Sequence, residues 1–335
     1  MTRTGLKHDR SFILIKDIEA HPSEHLTIKT LSKLCLFQPS IDSRPTSGPS
    51  PILRVTHTLS GSEIEFPLTP VPQALRDARE FTMEIFGTRA TGLDLGDDIA
   101  AWFSKHLEQK ARLLYIGGGG DDGAGTREIV APQLIPRKPR QQTGILSWLR
   151  ATEGDQDELH THKIQFADAA PLLITTVSSE EDAKSRIPID ADAGEGDEAS
   201  DDDVITRFRS NIHIDNAGQH ISDDEKEMHS QSAPYAEEQW KTLHIMDIAC
   251  EENPTVPIRL DLVFSTVRCQ SLNVDFRTGG LVTPERQLFK LLAKDRRVNP
   301  SFPYRPCFGR YAFAEPFSRK IRVGDRVEVV EWIEK

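Results

Sequence analysis

Apolar residues in the first third of the chain fall into short runs broken by Pro, Gly and Ser clusters. Ser11 to Lys16 (SFILIK), Thr27 to Gln38 with its apolar centre, Ile52 to Leu59 (ILRVTHTL), Glu63 to Leu68 and Glu80 to Phe86 are all strand-length. Their alternation and spacing predict the strands of a small barrel or sandwich. The period then changes. From Asp97, read as an N-cap, Ile99, Trp102, Phe103 and Leu107 fall on one helical face, and Ala111 to Ile116 returns as a strand.

The second half repeats the strand pattern with helices interleaved. Asp168 to Thr176 predicts a strand, and Ser178 with Glu181 has the spacing of a capping box for a short helix. Arg207 to Asp215 (RFRSNIHID) is strand-like. Leu260, Leu262, Val263 and Phe264 form a buried run, followed by turn residues in Asp275 to Gly280 (DFRTGG). Thr283 as N-cap and Pro284 at the first helical position open a helix with Leu288, Leu291 and Leu292 on one face and Lys294, Arg296 and Arg297 at its C-terminal end. Phe308 to Phe313 and Ile321 to Ile333, the latter with a turn at Gly324 and Asp325, read as closing strands. The expected class is β-rich α+β.

With 335 residues and 37% hydrophobic content the chain can bury a sizeable core in about two domains. A formal charge of -11 argues against a general nucleic-acid binder. No apolar stretch approaches the roughly 20 residues of a membrane span, and the N-terminal apolar core is too short for a secretory signal, so the chain reads as soluble and intracellular. The cysteines Cys35, Cys250, Cys269 and Cys307 are scattered, which indicates neither a disulfide framework nor a zinc site. The glycine run Gly117 to Thr126 lacks the Gly-Lys-Ser/Thr ending of a phosphate loop and reads as a surface loop. The basic stretch Pro132 to Gln142 reads as an exposed connection. Asp155, Asp157, His160 and His162 read as a solvated edge rather than metal ligands. Asp190 to Asp203 holds eight acids and no base, the composition of a disordered insertion.

The candidate chemistry centres on Cys269, which follows Arg268 at the end of the Leu260 to Phe264 run. A fixed positive charge favours the thiolate, the form that attacks electrophiles or ligates soft metals; a small buried thiol with no chemistry is the other reading. Arg207 and Arg209 with Asn211 could grip an anionic ligand, or could pair with the neighbouring acids.

Seven segments in order, HDRSFILI (His8 to Ile15), HLTIKTLSKLCLFQPSI (His25 to Ile41), LDLGDDIAAWFSKHL (Leu93 to Leu107), RFRSNIHID, PYAEEQW (Pro234 to Trp240), VRCQSLNVDFRTG and FGRYAF, resemble the MOSC-domain family. Within it they resemble the mitochondrial amidoxime-reducing branch and its fungal relatives. The resemblance implies an N-terminal β-barrel-like region over residues 1–116, a variable connection over 117–165, and a MOSC β-barrel domain with peripheral helices over 166–335, carrying the acidic insertion at 188–204. It implies a molybdenum-molybdopterin cofactor with Cys269 as metal ligand and catalytic centre, and Arg10, Arg209, Asn211 and Arg268 as cofactor-binding residues. The implied reaction is reduction of small N-hydroxylated substrates, with electrons from a b-type cytochrome and its NADH-dependent reductase. Mitochondrial association is implied without an anchor in this chain. The family also supplies the C-terminal part of cofactor sulfurases, whose pyridoxal phosphate domain has no counterpart here; a cofactor or persulfide carrier, or a non-catalytic interaction protein, are the alternatives. Ser210 stands where the family has proline, Ala169 and Ala170 where it has Thr-Ser, and Thr266 where a cysteine is common. The family's first strand and its Tyr-Pro-x-Lys-Ser segment find no match, so the N-terminal region is expected to lack a strand.

Overall fold

The computed structural model describes residues 1–2, 4–18, 23–42, 50–117, 127–130, 161–188, 203–216, 232–247, 256–315 and 319–333. Cys250, His160, Asp155, Asp157, the 118–126 glycine segment, the 132–142 connection and the acidic run up to Asp202 lie outside them.

The N-terminal region contains β1 (Phe12–Lys16), β2 (Phe37–Asp42), β3 (Ile52–His57), β4 (Ser62–Pro67), the one-turn α1 (Pro72–Leu75), β5 (Glu80–Ile85), β6 (Thr88–Asp94), α2 (Asp97–Leu107) and β7 (Ala111–Tyr115). Two antiparallel sheets result, in the orders β1-β7-β6-β5 and β2-β3-β4. Alternation along β3 sends Leu53 and Val55 inward, against Phe103 and Leu107 of α2 and Leu113 of β7. The opposite face of the first sheet buries Ile15, Met83, Ile85 and Leu114 with Phe166 of the following segment, which ties the two halves of the chain together.

β8 (Arg127–Val130) and β9 (Thr161–Ile164) pair as a separate two-stranded ribbon. The second half then runs through β10 (Leu172–Thr176), α3 (Val177–Ser185), α4 (Asp203–Phe208), β11 (Ile212–Ile214), β12 (Trp240–Met246), β13 (Ile258–Val267), α5 (Leu288–Leu292), β14 (Cys307–Glu315) and β15 (Arg326–Trp332). Its six-stranded sheet has the order β11-β10-β14-β13-β12-β15, with β11 parallel to β10 and the other neighbours antiparallel. Bulges between Leu262 and Phe264 and between Ser265 and Val267 interrupt the β13–β14 register and curl the sheet into a half-barrel. Trp240, Leu243, Leu260 and Leu262 are fully or almost fully buried on its concave face. The helices cover one end, where Phe208 and Phe308 stack with ring centroids 3.6 Å apart. The β-rich α+β class holds.

Several local expectations change. Thr27 to Gln38 is a turn and a 3-10 segment (Ser32–Leu36) before β2, because Thr27 and Thr30 bond each other and Leu31 N–H donates to the Thr27 carbonyl. The N-cap of α2 is Gly96 at φ 101; Asp97 lies in the first turn, where Arg112 donates to its carboxylate at 2.8 Å and holds its pKa below the usual range. The cap of α3 is Thr176, which accepts from Ser179 N–H, while Ser178 is engaged with Asn216. Arg207 and Phe208 end α4 rather than begin a strand, and the chain reverses at Arg209, φ 58. The Thr283 segment is a 3-10 turn (Pro284–Arg286) followed by the short α5, and Arg296 leaves the helix end to lie 3.6 Å over the Tyr235 ring and pair with Glu238. β6 was not expected; its Arg, Gly and Thr content hides an alternating buried face at Ala90, Gly92 and Asp94.

The Pro234 to Trp240 segment supplies a buried acid. Glu237 is fully buried, its Oε2 accepts from Thr176 at 3.0 Å and Ser179 at 2.8 Å, and its Oε1 has no hydrogen-bond partner. Burial pushes its pKa from the ordinary 4.5 up to about 7. The folded protein therefore binds more protons than the unfolded chain between about pH 4.5 and 7, and stability falls as pH rises through that window. At about 1.4 kcal/mol per pH unit the loss is roughly 3 kcal/mol. Glu237→Gln is expected to flatten this slope, read as urea midpoints at pH 5 and pH 8.

Candidate active site

The last residue of β13 is Val267, and the chain then enters Arg268, Cys269 and a 3-10 turn (Gln270–Asn273). Arg268 N–H donates to the Pro306 carbonyl at 2.8 Å, which fixes the exit of the strand. The Arg268 side chain is 8% exposed; it donates to the Phe208 carbonyl at 2.8 Å and lies 5.5 Å over the Phe208 ring. Burial lowers its pKa, against an opposing pull from nearby acidic groups that include Asp168. Cys269 is half-buried, with its Sγ 3.0 Å from Ser271 Oγ. The contrast is Cys307, fully buried, whose thiol is pushed up to about 11 by burial and is thereby kept protonated.

Cys269 and Ser271 open onto a cavity of about 870 Å³ that also touches Asp168, Arg209 and Tyr311. This is the size of a small-molecule or cofactor site. Residues from both halves of the chain line it: His25, Thr27 and Lys29 from the N-terminal region, and Asn299, Phe302 and Arg305 from the loop before β14. The bulges of β13 turn Phe264 and Ser265 toward the same space.

Arg209 is delivered by the left-handed turn that ends α4, where its N–H bonds the Ile205 and Thr206 carbonyls. It is exposed and lines the cavity. The nearby Arg10 charge, then burial, lower its pKa to about 10, against the opposing pull of Asp168. No hydrogen bond or ion pair within 4.0 Å ties down its guanidinium among the described residues. Arg10 stands on the other half of the chain at φ 56, and among the described residues its guanidinium has a 3.8 Å ion-pair contact to Asp9 and no other. An Arg10 charge close enough to lower the Arg209 pKa, with a third guanidinium at Arg268, marks a place for an anion.

Of the predicted site residues, Cys269 and Arg209 line the cavity, while Arg10, Arg268 and Asn211 are not among its lining residues. The Asn211 side chain accepts from Leu173 N–H at 2.9 Å and donates to Asp9 at 3.0 Å. It braces the Arg209 turn against β10 and against the segment carrying Arg10. Tyr311 and Asp168 were missed. Tyr311 pairs across β14 with Phe264, lies in the cavity wall, and has its phenol pKa raised by burial first and Asp168 second, so it keeps its proton at neutral pH. FGRYAF singled out the strand, but nothing in it says which residue faces the ligand. Ala169 and Ala170 are buried and offer no hydroxyl.

The MOSC domain model matches residues 161–328, half of the chain. The chain belongs to the MOSC-domain family. The MOSC N-terminal beta barrel domain matches residues 1–110. Over 278 residues the chain is 27% identical to mitochondrial amidoxime-reducing component 1 of Mus musculus, covering 81% of this chain and 62% of that protein. It is 22% identical over 251 residues to the protein of the same name from Danio rerio, covering 74% and 56%. Molybdenum cofactor sulfurase of Drosophila willistoni is 24% identical over 215 residues, covering 64% of this chain and 20% of that protein. The chain thus spans less than two thirds of each of these relatives. They support a MOSC-type, molybdenum-related function. Among the described residues no helix is long and apolar enough to cross a membrane, and no group of three His, Cys, Asp or Glu is arranged to hold a metal ion.

Proposed function

We propose that this MOSC protein is a molybdenum-molybdopterin oxidoreductase that reduces small N-hydroxylated compounds, with electrons from a b-type cytochrome and its NADH-dependent reductase. The observation that carries the reading is one accessible thiol, Cys269, sharing a cavity with the unpaired guanidinium of Arg209, with Arg10 and Arg268 close behind. These residues fit the group: a soft thiolate for the metal and guanidinium forks for a phosphate. When bound, the molybdenum cofactor would supply two-electron redox chemistry. The protein does the rest. Cys269 would hold the metal, and Arg10, Arg209 and Arg268 would hold the anionic end of the cofactor. Asn211 keeps the Arg209 turn in register. Tyr311, protonated at neutral pH, is a hydrogen-bond donor in the wall. The overall reaction breaks one N–O bond, takes up two electrons and two protons, and releases water.

The test is protein expressed in a host that makes the cofactor, given an aryl amidoxime and a chemical reductant, then the cytochrome, reductase and NADH. Amidine formation in proportion to bound molybdenum is expected. Loaded protein that forms none with either donor overturns the enzyme reading. It would favour the carrier reading, for which the relative named molybdenum cofactor sulfurase and the open Cys269 thiol speak.

A further inference from the structure

We propose that the substrate of this site is an anion, its carboxylate or phosphate held at the cavity mouth by Lys29 and Arg305. The inference rests on the cavity being the N-hydroxyl-reducing site and names the class of compound that enters it.

Charge distribution carries the argument. The whole chain has 52 acids against 41 Lys and Arg, yet the cavity is lined by Lys29, Arg209, Lys241, Arg305 and Arg310 with Asp168 as the one acid. These cations are not equivalent. Arg310 is 5% exposed and spends both terminal nitrogens on the Glu238 and Leu262 carbonyls, and Lys241 pairs with Glu331 at 2.8 Å. Arg209, with Arg10 and Arg268, is taken up by the cofactor reading. Lys29 and Arg305 remain. Both are exposed, one on the turn before the 3-10 segment and one in the loop before β14, and neither has an ion pair or side-chain hydrogen bond among the described residues. In the N-terminal half Lys16 meets Glu24 at 2.7 Å, Lys33 meets Glu108 at 2.6 Å and Arg54 meets Glu65, while Lys7, Arg76, Arg89, Lys105 and Lys110, like Lys29, have no such partner among the described residues; what sets Lys29 and Arg305 apart is that they line the cavity. Unpartnered cations on a concave wall of an acidic protein focus a positive potential there and draw anions in.

A second observation concerns the body of that ligand. Phe86 and Phe302 line the same cavity, and Phe86 is 49% exposed at φ 49, a backbone conformation that bulky side chains rarely adopt. The β5–β6 hairpin turns through Phe86 and Gly87, both at positive φ, which is the geometry of a tight two-residue turn normally given to Asn-Gly. Keeping a phenylalanine there presents an apolar ring to the mouth. A flat apolar body with an anionic group fits both features.

The test is equilibrium binding by calorimetry on cofactor-loaded protein, with a neutral aryl amidoxime and its para-carboxylate and para-phosphonate analogues. At low salt at least one anionic analogue is expected to bind ten or more times tighter than the neutral compound, with the advantage shrinking as ionic strength rises. The Lys29→Ala/Arg305→Ala double variant is expected to lose that advantage and to keep the neutral compound's affinity within about twofold; both positions are exposed, so the fold should be retained, as a thermal melt will show. Equal binding of all three compounds by the unaltered protein overturns the inference, as does a preference that survives the double variant. Anion preference without turnover leaves the inference standing and removes the enzyme reading. Turnover of the neutral amidoxime without anion preference does the reverse.

Discussion

Cys269→Ala, purified from a host that makes the cofactor, is expected to retain less than about a tenth of the molybdenum of the unaltered protein and to reduce no amidoxime. On the proposed reading Cys269 would be the metal-ligating thiolate, and the flanking guanidinium groups, which would hold the anionic end of the cofactor, could not replace that bond. The fold should be untouched. Cys269 is half-buried at a 3-10 cap, has its Sγ 3.0 Å from Ser271 Oγ, and belongs to none of the hydrophobic clusters among the described residues. Unchanged urea midpoints with lost metal are therefore the expected pair of results, read by elemental analysis and by circular dichroism. Cys307→Ala is the control, with metal retained and stability lowered, since that thiol is fully buried. Equal molybdenum in the Cys269→Ala variant would sink the ligand assignment.

Gly309→Ala is expected to cost about 3 to 5 kcal/mol of stability and to lower cofactor loading with it. Gly309 sits in β14 at φ +77, and an added Cβ would meet the Ile174 carbonyl oxygen at 2.7 Å, Thr175 Cγ2 at 2.8 Å and Leu173 Cδ1 at 3.1 Å. Backbone cannot give way as a flexible side chain can, so β10 must move off β14. The displacement reaches the site through short hydrogen bonds, because Leu173 exchanges backbone and side-chain bonds with Asn211, and Thr175 Oγ1 is 2.7 Å from Ser210 Oγ. Arg209 lies directly before both. Gly61→Ala separates conformation from collision: that glycine is also at positive φ, 64, but has nothing within 4 Å, so about 1 kcal/mol is expected. Matching losses for the two glycine variants in urea titrations would mean that contact with β10 is not what makes Gly309 necessary.

The residues that were legible in the sequence are those whose reading is local. Ile52 to Leu59 and Leu260 to Phe264 declare their strands because alternation and apolar runs depend on neighbours a few positions away, and the α2 face is legible for the same reason. The order of VRCQ, RFRSN and FGRYAF was enough to point to a MOSC protein. Local patterns failed where side-chain bonds to the backbone or a distant partner overrode them. Thr27 to Gln38 has strand composition but is held in turns by Thr27, Thr30 and the packing of Leu36, and Arg207 and Phe208 are drawn into a helix by the stack of Phe208 on Phe308, a hundred residues further on.

The site divides in the same way. The chain by itself determined that a thiol follows an arginine after a buried strand, and that two arginines and an asparagine stand together elsewhere. Only the tertiary structure decided that Arg10, Arg209 and Arg268 share one electrostatic environment, that Asn211 braces rather than lines, and that Lys29 and Arg305, 276 positions apart, open onto the same cavity. The physical reason is that Coulomb interactions and burial act across space over several ångströms, whereas sequence separation carries no information about them until the sheets have curled and the two halves have closed around Phe166.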